Sequence, residues 1–409
     1  MNKMKKVPKI RFEEFAEDWE NTDASIIFKT YFDKNHPDLP VLSASQEYGM
    51  IIREDVGFKV QHNKENEAGY KRVLPGQFVI HLRSFQGGFA HSDVEGITSP
   101  AYTIIEFRDK SQQDDIFWKY VLTSKEFIKR LETVTYGIRD GRSISFEDFS
   151  ELGFNVPDIK EQRKIGKTLT AIDTLIRKLE QKLEKLRNIK QSLLNQMFVN
   201  VNKGGYAPLI RFNGYNNKWI MLTLNDISER ITRKNTNNES SLPLTVSAQY
   251  GLINQNDFFD SRIASKDVSG YYLIKNGEFA YNKSSSDGYP FGAVKRLDRY
   301  KMGVLSTLYI IFALNKDKID SDFLSIFFET DKWYEHISQR AAEGARNHGL
   351  LNISSEDFLD LKILTPKSKN EQNLIAGYVS ALDRLVEGTS SKLTKLRTMK
   401  QSLLQKMFV

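Results

Sequence analysis

Two short stretches carry side chains suited to gripping a polyanion or reading the edges of bases. "HLRSFQGG" offers His81, Arg83, Ser84 and Gln86, and "YNKSSSDG" offers Asn282, Lys283, Ser284, Ser285 and Ser286. Arg, Asn, Gln and Ser hydrogen-bond phosphates and base edges. Each stretch follows an apolar run and ends in Gly, which predicts a loop at a strand end. Farther along, "GIRDGRS" supplies Arg139 and Arg142, and "GARNHG" supplies Arg346, Asn347 and His348. Any one of these residues also suits an ordinary solvated loop. The loops recur at corresponding places with different contents, which favours two binding surfaces built alike and tuned to different targets.

Other chemistries lack their residues. With Cys 0 in the chain, disulfides, thiolate nucleophiles and Cys-based zinc sites are excluded, and a reducing interior fits best. There is no phosphate-cradling GxxxxGK[ST]. Pro-Pro never occurs, so the Asn/Asp-Pro-Pro-aromatic tetrapeptide of an amino-methyltransferase is absent. "GIRDGR" is an isolated glycine spacing, and "PDIKEQRK" at Pro157 has the wrong spacing for a metal nuclease. The histidines, His36, His62, His81, His91, His336 and His348, show no i, i+4 zinc pairing and read as satisfied or exposed. No metal site is expected.

Bulk properties bound the remainder. The 409 residues suffice for two to four domains, and 40% hydrophobic with 11% aromatic content supplies cores. A net charge of +7 suits a polyanion partner only if it is clustered. The basic start "MNKMKKVPKI" lacks a following apolar stretch, and no run approaches a membrane span. A cytoplasmic protein with no membrane partner is expected.

The elements that hold these loops are duplicated. Shifted by 210 residues, Glu161-Gln162 falls on Glu371-Gln372, Ile165 on Ile375, Ala171 on Ala381 and Asp173 on Asp383. The tails "KLRNIKQSLLNQMFV" and "KLRTMKQSLLQKMFV" then coincide without a gap. Weaker matches lie upstream: "PKIRFEEFAEDW" with "PLIRFNGYNNKW", "EYGMI" with "QYGLI", and "PGQFVI" with "NGEFAY". Each half therefore reads as a globular unit followed by a helix.

Apolar residues in the two helical regions fall on a heptad seam. The first seam is Ile165, Leu169, Ile172, Ile176, Leu179, Leu183, Leu186 and Leu193, with Met197 beyond. The second is Ile375, Val379, Leu382, Val386, Leu393, Leu396 and Leu403, with Met407 beyond. Lys190 and Lys400 occupy the equivalent exceptional slot. Each helix begins after a proline, Pro157 or Pro366, and runs on the order of 55 Å at 1.5 Å per residue. "EGTSS", Glu387 to Ser391, predicts a bend or frayed stretch, because Gly388 lowers helix propensity and Thr389 takes a core slot. Such stripes must be buried. The two helices pack most simply as an antiparallel pair, with each Lys near an opposite end and reaching solvent or a partner acid. The pattern alone also permits a plain dimerisation device.

The globular parts read as mixed α/β. "GQFVIHL", "AYTIIEF", "GEFAYNK" and "LYIIFAL" predict strands. "DDIFWKYVLTSKEFIKRLET" and "SDFLSIFFETDKWYEHISQR" predict helices. The segments are 1–156 and 204–365 as globular domains, and 157–203 and 366–409 as helical regions. The fold class is α/β: a tandem duplication of a mixed α/β domain plus long helix, the helices forming an antiparallel coiled coil with pseudo-twofold symmetry.

The whole chain resembles the specificity (S, HsdS) subunits of type I restriction–modification systems. The anchors are "VPDIKEQRKIGKTLTAID", "TPKSKNEQNLIAGYVSALD" and the doubled tails. The second copy has one extra residue between Pro366 and Glu371. The resemblance implies a non-catalytic chain whose two target-recognition domains each read half of a bipartite, asymmetric site on double-stranded DNA. The paired helices would set the half-site spacing and dock two modification (HsdM) subunits. Those partners would use S-adenosylmethionine to methylate adenine N6 by base flipping. Restriction (HsdR) subunits would bring ATP, Mg2+ and cleavage, and the chain itself would bind no cofactor. The alternative is a non-enzymatic adaptor, two protein-binding domains on a coiled-coil spacer.

Overall fold

Apolar runs of three to five residues with two-residue alternation become the strands of small antiparallel sheets. The computed structural model describes residues 7–45, 48–56, 64–81, 88–134, 144–201, 205–258, 265, 267–341 and 350–408. The chain divides into two compact units, Met1–Gln181 with Ser390–Val409, and Lys182–Thr389.

In the first unit, β1 (Glu20–Asp23) leads through a single turn, α1 (Ala24–Ile27), into β2 (Phe28–Tyr31). A hairpin follows, β3 (Leu42–Ser45) and β4 (Gly49–Ile52), then β5 (Lys71–Val73), β6 (Phe78–Ile80), β7 (Phe89–His91), β8 (Gly96–Thr98) and β9 (Thr103–Phe107). The central sheet has the order β2-β9-β6-β7, and every neighbouring pair is antiparallel. Alternation sorts its faces. Phe78 and Ile80 join Phe28, Phe89, Ile105, Phe117 and Trp118 in the main core, while Val79 turns to Leu42, Met50, Ala90 and Ile104 under the hairpin.

Helices α2 (Asp115–Leu122), α3 (Lys125–Val134) and α4 (Phe146–Ser150) cover the main core, and β10 (Gly153–Val156) returns to pair with β1. The run "DDIFWKYVLTSKEFIKRLET" thus splits into two helices. Local capping explains the break: Ser124 Oγ accepts from Phe127 N at 3.1 Å, and Asp114 caps α2 through Phe117 N. Next comes α5 (Ile159–Met197).

The second unit repeats the order. It contains β11 (Ile220–Thr223), α6 (Leu224–Ile227), β12 (Ser228–Ile231), the hairpin β13 (Leu244–Ser247) and β14 (Gly251–Asn254), and α7 (Gln255–Phe258). Then follow β15 (Tyr272–Lys275), β16 (Phe279–Asn282), β17 (Ala293–Arg296), β18 (Met302–Leu305) and β19 (Ile310–Leu314). Helices α8 (Ser321–Phe327), α9 (Tyr334–Arg340) and α10 (Ser355–Leu359), strand β20 (Lys362–Thr365) and α11 (Lys369–Met407) complete it. Its sheet order is β12-β19-β16-β17, the counterpart of the first.

Both long helices have 39 residues, and every seam position is buried or half-buried. The expected fraying at "EGTSS" does not occur, because α11 is continuous through it. Thr389 is only 6% exposed and its hydroxyl donates to Leu385 O at 2.7 Å. Burial in the seam outweighs the glycine, whose propensity cost is about 1 kcal/mol.

Packing is antiparallel within each unit. In the first, Lys400 Nζ meets Asp173 at 2.5 Å, Arg397 meets Glu180 at 2.5 Å, and Met407 joins the core of Ile165 and Leu169. In the second, Lys190 Nζ meets Asp383 at 2.5 Å and Glu329 at 2.7 Å, and Leu194 and Met197 share a core with Ile375 and Val379. Each seam lysine therefore reaches a partner acid.

A clamp ties each helix start to its globular part. Glu161 is fully buried and accepts from Arg11 Nε at 2.8 Å, Arg11 Nη2 at 2.7 Å and Trp19 Nε1 at 3.1 Å. Glu371 repeats this with Arg211 at 2.6 and 2.9 Å and Trp219 at 3.3 Å. The adjacent glutamines do the same: Gln162 accepts from Asp114 N and Gln372 from Asp320 N, at 2.9 and 2.7 Å. The doubled Glu-Gln and the doubled Arg-Phe…Trp are thus two sides of one joint.

Candidate nucleic-acid interface

Strand β16 ends at Asn282, and the polar loop follows directly. Asn282 Oδ1 accepts from Ser284 N at 3.0 Å, and its Nδ2 donates to Val246 O at 3.3 Å. Leu351 N donates to Lys283 O at 3.0 Å, and Ser284 bridges Leu350. The loop after β16 is thereby stitched to the segment that follows "GARNHG". Gly292, at φ 78, closes the loop, and a Cβ there would run into the Asn282 carbonyl. Ser285 is exposed.

Beside this loop lies a cavity of about 270 Å³ lined by Gln255, Tyr271, Asn282, Lys283, Ser284, Ser306 and Tyr309, with Leu308 at its rim. Lys283 has Ile353 O as its hydrogen-bond acceptor, at 3.4 Å. Burial, and then the charge of Arg230, pushes the Lys283 ammonium below its ordinary pKa. Two cations near one another with a weak acceptor suit a phosphate.

In the first unit His81 directly follows the equivalent strand, β6, with its ring 6.1 Å from Tyr102. Arg83, Ser84, Gln86, Arg139, Arg142, Arg346, Asn347 and His348 lie outside the described residues. A second feature recurs at strand edges. Lys34 and Lys71 both lie over the exposed Phe32 ring, at 5.1 and 5.8 Å, and Lys234 lies over Tyr272 at 4.3 Å. Burial lowers the Lys71 pKa, and Lys34 adds to it. The exposed Phe32 ring with its flanking cations suits nucleic acid, and Tyr272 is half-buried. The order of charged and amide residues in the sequence does not reveal them, because Lys34 and Lys71 meet only where Arg72 N donates to Asp33 O at 2.8 Å.

His91 is buried rather than superficial: Nε2 lies 2.8 Å from Asp115 and Nδ1 lies 3.3 Å from Asp93. That hydrogen bond holds the Asp115 carboxyl below the usual range. Among the described residues no group of three His, Asp or Glu could hold a metal ion.

Residues 10–188 match the family model of the type I restriction modification DNA specificity domain. The second unit repeats the sheet order of the matched region strand for strand. The fold is similar to that of the type I restriction–modification S subunit from M. genitalium, at 15% identity and TM-score 0.58, covering 98% of this chain and 99% of that one. The HsdS subunit from Thermoanaerobacter tengcongensis matches at 14% identity and TM-score 0.48, over 95% and 96%. A chain from a structure concerned with complex assembly and conformational transition of the type I R-M system matches at 13% identity and TM-score 0.49, over 95% and 97%.

Proposed function

We propose that this chain is the DNA-addressing subunit of a type I restriction–modification enzyme, each unit reading one half of a bipartite, asymmetric site. The observation that carries this reading is the fold of the matched region, residues 10–188, repeated strand for strand by the second unit, with equivalent loops of different content. Phosphate contacts through Lys283, Arg230, Lys34 and Lys71 supply affinity, and amide and guanidinium side chains at strand ends supply selection. The antiparallel helices set the half-site spacing, each long enough to exceed one turn of B-DNA at about 34–36 Å. They also dock two modification subunits.

Methylation of adenine with S-adenosylmethionine belongs to those partners, and ATP- and Mg2+-dependent cleavage to restriction subunits. This chain contributes binding and orientation and works in the cytoplasm, where the DNA is. Among the described residues no helix is long and apolar enough to cross a membrane. The adaptor reading leaves the specificity-domain match without a purpose. Methylation sequencing of cells with and without this gene tests the proposal. One bipartite adenine motif disappears with the gene; identical methylomes overturn it.

A further inference from the structure

We infer that residues 53 and 255 are equivalent base-reading positions, Arg53 selecting a guanine and Gln255 an adenine. The inference rests on the DNA-specificity reading above and names what that reading leaves open.

The equivalence is geometric. Hairpins β3–β4 and β13–β14 have the same register, Ser45 opposite Gly49 and Ser247 opposite Gly251. The residue that follows each hairpin is anchored by the same backbone bond, Arg53 N to Val41 O at 2.9 Å and Gln255 N to Pro243 O at 2.8 Å. Two different side chains therefore leave the backbone at one place in the fold.

Gln255 lines the cavity beside Asn282, Lys283 and Tyr309. Its Oε1 is buried and has no hydrogen-bond partner among the described residues. A buried acceptor left without a donor is destabilising, so such a group calls for a donor from outside. The adenine edge supplies the N6 amino group as that donor, and its N7 takes the glutamine amide N–H.

Arg53 spends Nε on Ser43 Oγ, at 3.2 Å, and has no acid partner among the described residues. Its terminal nitrogens form a fork that matches guanine O6 and N7. Ser43 is the counterpart of Thr245, which contacts Tyr309 Oη at 3.3 Å. The walls around the two positions thus keep their scaffold and change their reading group.

The test uses the full chain co-expressed with its modification subunit, and methylation sequencing as the readout. Gln255→Ala relaxes a single A·T pair in one half-site, with discrimination there falling about tenfold or more. Arg53→Ala relaxes a single G·C pair in the other half-site. Should Gln255→Ala lower the melting temperature, Gln255→Glu decides, since it keeps the acceptor and shifts preference from adenine to cytosine. A wild-type bipartite motif left unchanged by these variants overturns the inference while leaving the function intact. A wild type with no motif overturns the underlying reading instead.

Discussion

Removing the charge of Glu161 should open one joint and spare its duplicate. Glu161 is fully buried and takes two bonds from Arg11 and one from Trp19. In Glu161→Gln the amide can accept one of these bonds, but its NH2 group faces the Arg11 guanidinium. Arg11, whose pKa is raised first of all by its hydrogen bond to the Glu161 carboxylate, then sits largely buried without its counter-charge. Breaking a buried pair by removing one partner costs about 3–5 kcal/mol. The lower figure, about 3 kcal/mol, raises the opening constant of the joint on the order of a hundredfold. Native-state hydrogen exchange reads it directly. Amides in the first turns of α5 exchange faster in the variant, while those around Glu371 in α11 keep their rate. Adding Arg11→Met recovers part of the loss, because the stranded cation goes with it. Equal exchange at the α5 start in both proteins, or acceleration at both joints, would refute the reasoning.

Replacing the seam lysines should cost unequal amounts. Lys190→Met strips a cation from both Glu329 and Asp383, whereas in Lys400→Met the Tyr120 hydroxyl still donates to Asp173 at 2.7 Å; urea titrations should rank Lys190→Met the more destabilised, by about 1 kcal/mol. His336 donates through Nε2 to Asp357 O at 2.8 Å and accepts from Arg340 on Nδ1 at 3.0 Å, so it is held neutral, and burial first of all lowers its pKa. Its folded pKa lies below its unfolded value, so its contribution is present above about pH 6.5 and is lost as pH falls below that; thermal melts between pH 7 and 5 show the decline, and His336→Gln flattens it. Gly292→Ala places a side chain at φ 78 against the Asn282 carbonyl and should cost about 1–2 kcal/mol in urea titration, a neutral result contradicting the loop geometry.

The duplication, the two long helices and their seam were legible from residue order alone, because heptad spacing and self-similarity are local patterns. At "EGTSS" the spacing already puts Thr389 in a core slot, and only the packed seam decides that its burial outweighs the local propensity cost of Gly388. The helical runs after β9 and β19 showed their period but not their breaks, since Ser124 caps α3 only once the chain has turned. Of the polar loops, Asn282 to Ser284 could be singled out by composition, while Gln255 could not, because "INQND" looks like any turn. By itself the sequence determined that there are two copies, which faces they bury, and which chemistries are missing. Only tertiary structure decided that Glu161 and Glu371 are clamped by residues about 150 positions away, and that Arg53 and Gln255 stand at one equivalent place. Those relations depend on strand register and on pairing between distant segments, which no local pattern encodes.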